Sequence, residues 1–491
     1  MSRLAEARSR GLRMHAAASA TSDTLILRAG EGKQAVVVGA GPAGSLMAMY
    51  LAQRGYQVKV YERRSRPQRD DSKYSLRSYP MVISQRALKA LAEVGAAPLC
   101  HSGPPAQGIV LLANGGKQPM ASGARQVDRV TLGADLITEA QRLFPQHIQF
   151  LFGQKLADID FQGQTATVTD AAGHPRRVPY DLLIGADGAS SRVRDLMEQH
   201  LPGFSATTRL VAKSGYKTVH GLPVPQTPAD ANGLQVADMA EHPPGVYLYG
   251  MRKPGAKVSA TLWKAREGTI SGIMTGEEEV PREQMEAVLD KEWPQLPQGW
   301  RSLILDQTDP SVQQLNSFSK IVECRKFHGP RVALVGDAAH AVTSAMGQGC
   351  NTALETCRVL NDTLVRHNDD IDAALPEFSS SRVPDAHALQ DLEYLRVLSM
   401  PRRKDAYKTW PERLYARMLY ATSGIIGLLL FKLLPKYFKS PFFLFARLAD
   451  PSVRQRDIKR QIQLLSALVM AGVAALVWAL VRVARMQLGF A

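Results

Sequence analysis

The sequence predicts an α/β fold in which a doubly wound parallel sheet is interleaved with a mixed or antiparallel sheet domain, followed by C-terminal helices. Three observations carry this prediction. Val36-Val37-Val38 opens into a glycine-rich turn and an apolar helix. Two further apolar runs, 182–184 and 332–335, end in Gly185 and Gly336 far downstream. Between them, over about 205–320, alternating stretches such as 245–251 and 257–263 read as strands of a second sheet, punctuated by Pro- and Gly-rich turns at 221–228 and 243–245.

The first element is defined by its spacing. Gly39, Gly41 and Gly44 stand at G-x-G-x-x-G intervals behind the valines. Gly39 permits the tight turn, Gly41 lets a pyrophosphate approach the backbone, and Gly44 lets helix and strand pack closely. The helix expected from Pro42 to Gln53 aims the positive end of its dipole at the phosphates. A second strand, 58–61, ends in Glu62, where an acid hydrogen-bonds a ribose hydroxyl and disfavours a 2′-phosphate. This Rossmann-like pocket is expected to hold the adenosine of FAD or NAD rather than NADP.

The segment YDLLIGADGASSRVRDLM (180–197) repeats the logic: an apolar run, then Gly185, Asp187 and Gly188, then a helix carrying Arg192 and Arg194. Alone it is a weak signal, because Asp-Gly turns are common. The third segment, RVALVGDAAHAVTSAMGQGCNTALE (331–355), is more specific. Its strand ends in Gly336-Asp337 and passes into a helix rich in small residues, a geometry that lays one carboxylate and a row of backbone N–H groups along a long flavin cofactor. In the middle of the chain Tyr247, Tyr249 and Trp263 are candidates to line a pocket, with cross-strand packing the competing role of each.

A net charge of +15 invites a nucleic-acid reading, and its distribution excludes it. Residues 401–491 hold 16 Lys/Arg against 4 Asp/Glu and residues 1–35 hold 6 against 3, which leaves 38 of each sign in the body between them. The charge sits at the ends. From 464 to 481 runs LLSALVMAGVAALVWALV, 18 residues without a charge, flanked by Arg454, Arg456, Lys459 and Arg460 and by Arg482 and Arg485. At 1.5 Å per residue it reaches about 27 Å, enough to cross a hydrocarbon core of roughly 30 Å with snorkelling arginines. A buried core helix is the competing reading. Basic interfacial helices are expected over 401–460, where SGIIGLLLFKLL (423–434) is too short to span. The partner there is the lipid bilayer, and basic residues on both flanks leave orientation open.

Residues 1–34 are Arg-, Ala- and Ser-rich with few acids, as organellar transit peptides are, or form a plain N-terminal extension; no apolar core of a secretory signal precedes the first strand. An organellar membrane, mitochondrial (outer membrane) or chloroplast, with a C-terminal anchor is the resulting localisation. Cys100, Cys324, Cys350 and Cys357 have neither metal spacing nor a disulfide framework, and no metal site is expected.

Taken together, GAGPAG, IGADGASSRVR, the GDAAHA and GQGCN stretch, FHGPRVALVGD and SSRVPDAHALQDL (380–392) resemble the FAD-dependent aromatic hydroxylases, or flavoprotein monooxygenases, and within them most resemble the kynurenine 3-monooxygenases. The likeness covers about 35–485. It implies a body over 35–400 with FAD parts at about 35–110, 125–200 and 320–370. It also implies an ADP half held by Gly39, Gly41, Gly44 and Glu62, with Arg64 beside them, and Arg129 reaching the flavin chain. Asp187 resembles the acid of a segment used by both FAD and NAD(P)H; Gly336 and Asp337 would serve the ribityl or ribose hydroxyls; Gly347, Gly349 and Asn351 would face the isoalloxazine ring. Arg77, Tyr247, Phe327 and His328 are the substrate-pocket candidates. His328 and His340 lie in flavin-site segments, where isolated histidines are most often structural.

The implied reaction is the cofactor's: NADPH or NADH reduces FAD, O2 gives a flavin C4a-hydroperoxide, and one oxygen passes to a small aromatic or apolar substrate while the protein excludes water. No catalytic residue is assigned. The sequence departs from the resemblance where kynurenine 3-monooxygenases grip the amino-acid end of their substrate: those positions fall at Gly108, near Ser122, and at Arg396 and Ser399, and none keeps the family residue. Ser344 replaces a usual proline and Pro80 a usual asparagine. Two alternatives stand beside hydroxylation: an FAD-dependent reductase or dehydrogenase of a membrane-borne isoprenoid or quinone, and a flavin-binding interaction partner without turnover.

Overall fold

The computed structural model describes residues 29–68, 79–96, 99, 104–112, 117–119, 123–210, 215–226, 237–251, 256–265, 268–276, 279–297, 299–317, 320–399, 410–433 and 447–487. The transit-peptide expectation over 1–34 lies almost wholly outside these residues. Arg77, Cys100 and Ser122 lie outside them as well.

The nucleotide sheet has six strands: β1 (Gln34–Val38), β2 (Gln57–Glu62), β3 (Ile148–Phe152), β4 (Leu182–Gly185), β5 (His328–Gly329) and β6 (Val332–Leu334). Their spatial order is β5-β6-β4-β1-β2-β3, with only the short β5–β6 hairpin antiparallel. β1, β4 and β6 are adjacent, so the three glycine-bearing segments, separated by nearly 300 residues of chain, end side by side at the carboxyl edge of one sheet. That is where an open α/β sheet binds its ligand. The valines of β1 and the run 182–184 are buried because both sheet faces are covered, as parallel sheets require. Helix α1 (Pro42–Gln53) is buried from Gly44 to Ala52, which explains its almost uniformly apolar sequence.

The second sheet has seven strands, in the order Asn316–Ser317, Gly215–Leu222, Ile270–Gly276, Ser259–Lys264, Tyr247–Met251, Gly108–Leu111 and Lys117–Pro119. It is mixed: Tyr247–Met251 pairs parallel with Gly108–Leu111 and every other pairing is antiparallel. Gly108–Leu111, read from sequence as the end of a flavin part, thus belongs to this sheet. Helices Arg282–Glu292 and Trp300–Thr308 cover one face, burying Trp293 and Trp300 against Tyr249, Met251, Leu262 and Met274.

Four helices complete the chain: α2 (Gly349–Arg366), α3 (Ile371–Ser399), α4 (Trp410–Leu433) and α5 (Gln455–Gln487). α2 packs on α1 and α3, while α3 runs unbroken through Pro376 and Pro384. The base of α5 is bound into the body by a buried ionic cluster. Glu355 on α2 is paired with both Arg86 and Arg382, and accepts from Gln455 Nε2 at 2.8 Å. Arg86 also donates to the carbonyls of Leu448, Asp450 and Val453. Beyond Ser466, which hydrogen-bonds Thr422 of α4 at 2.8 Å, α5 shows Leu468, Leu476, Trp478 and Leu480 to its surroundings, each 60% exposed or more. Among the described residues, one helix is long and apolar enough to cross a membrane, over Gln455–Val483, and it is not a buried core helix.

Candidate active site

The site is built around the glycine turn after β1. Gly39 has φ +104°, a left-handed value, and a Cβ there would lie 2.5 Å from the Ala186 carbonyl oxygen. A Cβ on Gly44 would lie 1.9 Å from the Gly39 oxygen. These two glycines are demanded by the protein itself. Gly41 is different: it has ordinary extended geometry (φ −71°, ψ 177°) and a Cβ there would meet nothing within 4 Å. It faces open space, and no side chain caps the helix that starts at Pro42. The first N–H groups of α1 point into a concavity suited to an anion.

Glu62 stands beside this turn. Its Oε2 accepts from Ala40 N and its Oε1 from Arg64 N, each at 3.0 Å, which fixes the carboxylate at the end of β2 and leaves it further lone pairs. The Arg64 carbonyl accepts from Gly153 N at 3.1 Å and its side chain lies at the surface. Asp187 is spent differently. It accepts from Ser191 Oγ at 2.5 Å and from Arg192 N at 2.6 Å, so it anchors the start of the helix Arg192–His200; burial raises its carboxyl, and these bonds act in the opposite direction. Next to it Gly188 takes φ +86°, a left-handed value.

Gly336 links the third segment to the first. With φ +60°, it lies where a Cβ would be 3.0 Å from Ala43 Cβ. Asp337 follows, deep within the protein yet exposed, and Arg129 shares this character. Both therefore line an internal cleft. Burial raises the Asp337 carboxyl while Arg129 opposes that shift. Burial also works against the Arg129 charge, and Tyr79, Tyr216 and Asp337 more than offset it. The Arg129 guanidinium lies 5.8 Å from the centre of the Tyr79 ring, which meets Tyr216 edge-on at 5.4 Å. Tyr216 belongs to the second sheet, so the cleft runs between the two sheets. Cys350, at the start of α2, borders the same group; burial, then Asp337, pushes its thiol up to about 12, and it is neutral.

The turn before α2 supplies a second open cradle. Gly347 has φ +64° and a Cβ there would meet nothing within 4 Å; one on Gly349 would touch only Val342, at 3.5 Å. Asn351, expected to offer its amide to a flavin ring, spends it on the protein. Its Oδ1 accepts from Ser84 N at 2.8 Å, and its Nδ2 donates to Val82 O at 3.0 Å and Gly347 O at 3.2 Å. These three bonds position the turn. Ser344 opens this turn without the rigidity of proline, and Glu393 of α3 compensates, accepting from Thr343 Oγ1 at 2.6 Å and Met346 N at 3.2 Å. Burial pushes the Glu393 carboxyl up to about 8.

Of the substrate-pocket candidates among the described residues, Tyr247, Phe327 and His328 do not come together. Phe327 is fully buried, packed on His340 at 5.5 Å and Phe378 at 6.3 Å, while His328 lines a separate cavity at the outer edge of the nucleotide sheet. Tyr247 donates to Gln107 Oε1 at 2.7 Å and shares the face of Tyr249, which lies against the covering helices. The register puts Leu248 and Trp263 on the opposite face, that of Tyr216 and the cleft. Alternation alone showed that one parity faces inward and left unstated which, because both faces are covered. Tyr79, Tyr216 and Glu393 escaped sequence reasoning altogether, since they reach the site only through tertiary contacts. His340 is structural: its Nε2 meets Thr356 Oγ1 at 2.7 Å, and burial followed by the Arg382 charge pushes it down to about 3.

Residues 33–370 match the family model described as "FAD binding domain". The chain belongs to the FAD-dependent aromatic hydroxylases, the flavoprotein monooxygenases. It is 31% identical over 435 residues to a kynurenine 3-monooxygenase of Salinispora tropica, covering 85% of this chain and 89% of that one. It is 33% identical over 387 residues to the violacein synthase of Chromobacterium violaceum, covering 73% and 84%. Among solved structures, 2-methyl-3-hydroxypyridine-5-carboxylic acid oxygenase superposes with a TM-score of 0.57 at 21% identity, over 78% of this chain and 95% of that one. Klebsiella pneumoniae HpxO, complexed with FAD and uric acid, gives 0.54 at 21% identity, over 78% and 92%. In this fold the open cradles at Gly41 and Gly347 and the cleft-lining Arg129 and Asp337 fit an extended FAD.

Proposed function

We propose that this flavoprotein is a membrane-anchored monooxygenase that uses NAD(P)H and O2 to hydroxylate a small aromatic or apolar substrate. The observation that carries the reading is one continuous arrangement: two glycine cradles with open Cβ space, at Gly41 and Gly347, with Arg129 and Asp337 lining the cleft between sheets. Bound FAD supplies the redox and oxygen-transfer chemistry. The chain's own residues bind and enclose it. The N-terminus of α1 and the Gly41 backbone receive the pyrophosphate, and Glu62, already oriented by Ala40 N and Arg64 N, receives ribose hydroxyls. Asp337 accepts from hydroxyls of the flavin chain, Arg129 donates to its polar groups, and the backbone at Gly347 and Gly349 faces the ring. Leu248 and Trp263, on the cleft face of the second sheet, exclude water from the reacting atoms.

Gly108, Arg396 and Ser399 offer no amino-acid clamp of the kind the kynurenine 3-monooxygenases use. Charge-assisted hydrogen bonds are worth about 1.5–3 kcal/mol each, so L-kynurenine is expected to be a poor substrate. Anchoring is supported by the exposed apolar length of α5 and by the basic residues on both its flanks; an organellar membrane, mitochondrial or chloroplast, remains the proposed location. The test is NADPH and NADH oxidation by the FAD-loaded protein in detergent, with oxygen uptake, across a panel of phenols, indoles and L-kynurenine. Substrate-stimulated, oxygen-dependent turnover supports the reading, and oxygen-independent turnover would mark a reductase instead.

A further inference from the structure

A cavity of about 390 Å³ opens at the outer edge of the nucleotide sheet, bounded by the β5–β6 hairpin, the end of the helix Arg192–His200 and the start of α3. Its volume lies in the range of small-molecule sites, about 300–1,000 Å³. The walls are apolar: Leu201, Phe204, Ile371 and Leu375. Two polar groups enter it, with different roles. His328 is half-buried, its Nδ1 sealed from solvent without a hydrogen-bond partner among the described residues, and burial, then Lys326, pulls its ring below the usual histidine range, so it is neutral. Lys326 is exposed at the rim and has no acid within ion-pair distance among the described residues.

The other charges at the rim cancel. Arg331 is paired with Asp372 at 2.8 Å. Arg331 also stands in the left-handed region, with φ +53°, at the corner of the β5–β6 hairpin. A non-glycine residue there is strained by about 1–3 kcal/mol, and such strain gathers where a side chain must be held in place for binding. With Arg331 and Asp372 paired along one lip, Lys326 is the lining cation without an ion-pair partner among the described residues. None of Gly41, Arg129, Asp337 and Gly347 borders this cavity.

We propose that this cavity is a second ligand site, distinct from the flavin cleft, for a small apolar monocarboxylate. The apolar body lies against Leu201, Phe204, Ile371 and Leu375, and the carboxylate accepts from the Lys326 ammonium. Occupancy is tested on the full-length, FAD-loaded protein in detergent with 4-iodobenzoate as probe and 4-iodobenzamide as its uncharged counterpart. In a Phe204→Trp variant the introduced fluorescence is expected to be quenched saturably by the acid, with affinity at least about tenfold weaker for the amide and at least about tenfold weaker for the acid when Lys326→Gln is added, since one charge-assisted hydrogen bond is lost. The second measurement needs no substitution. In the wild-type protein 4-iodobenzoate is expected to protect Lys326 from acylation, read by peptide mass spectrometry, at concentrations where the flavin spectrum does not change. Equal response to acid and amide, quenching indifferent to Lys326→Gln, or unprotected Lys326 overturns the proposal.

Discussion

Asn351 Oδ1 accepts the N–H of Ser84, 267 residues away in the chain, at 2.8 Å, and through that bond the turn at Gly347 is tied to the end of the strand Pro80–Ile83. The amide does the work of a brace: with its other two bonds, to Val82 O and Gly347 O, it sets the shape of the cradle.

Asn351→Ala removes three hydrogen bonds in a buried place. A lost partner there costs roughly 1–3 kcal/mol, so the melting temperature is expected to fall by several degrees, and FAD affinity by about tenfold. Thermal melts with and without added FAD check both.

The glycines of the first turn separate fold from cofactor. Gly44→Ala forces a Cβ to 1.9 Å from a backbone oxygen and is expected to destabilise even the FAD-free protein, by about 1–3 kcal/mol or more. Gly41→Val has open space and permitted dihedrals, so the FAD-free protein should melt as wild type while FAD affinity falls at least about tenfold. Fluorescence titration with FAD, beside a melt of each apoprotein, distinguishes the two.

Glu393 gives the fold an inverted acid response. Its carboxyl is held at about 8 against an ordinary 4.5, chiefly by burial, so the folded state prefers the proton. Its contribution is complete below about pH 4.5 and is lost as pH rises toward 8. Glu393→Gln, a mimic of the protonated acid, should match wild type near pH 5 and melt higher than wild type near pH 8.

Glu355 behaves oppositely. Burial would raise its carboxyl, but Arg382 and Arg86 overcome that and hold it down to about 2. Its stabilisation is therefore present above about pH 4.5 and lost as pH falls toward 2. Glu355→Leu leaves two buried guanidinium groups unpaired and is expected to cost about 3–5 kcal/mol. Denaturant unfolding at pH 7 and pH 3.5 should show the difference between variant and wild type shrinking with acid.

The same cluster fixes where the C-terminal segment can be cut. Removing 464–491 should leave a folded FAD protein that no longer floats with liposomes. Removing everything from 447 strips Arg86 of three carbonyl partners and Glu355 of Gln455, and should yield protein that does not retain FAD. Flotation and the flavin absorbance of each truncation decide it.

What sequence could reveal followed from how local each signal is. The turn after β1 needs glycine at Gly39 and Gly44 for reasons contained within a dozen residues, and it was legible; so was the acid at Glu62 and the uncharged length of α5. The inward parity of Tyr247–Met251 depends on which face the helices Arg282–Glu292 and Trp300–Thr308 cover, a tertiary fact, so alternation alone leaves open whether Tyr247 or Leu248 faces the cleft. Asp187 and Asn351 carry the residue types of ligand contacts and also brace the protein around them, a second role that spacing cannot reveal. The stretch 423–434 reads alone as an interfacial element, yet Ile425, Leu429 and Leu433 end a 24-residue helix whose Thr422 meets α5.

The central claim is oxygen transfer at the cleft between Arg129 and Asp337, and labelled dioxygen tests it most directly. FAD-loaded protein turning over NADPH or NADH with an aromatic acceptor under ¹⁸O₂ is predicted to yield a product carrying one labelled oxygen, at a rate that Asp337→Asn lowers together with FAD retention. Sustained acceptor-dependent oxidation of the nicotinamide in the absence of oxygen, or a product with no label, would contradict it.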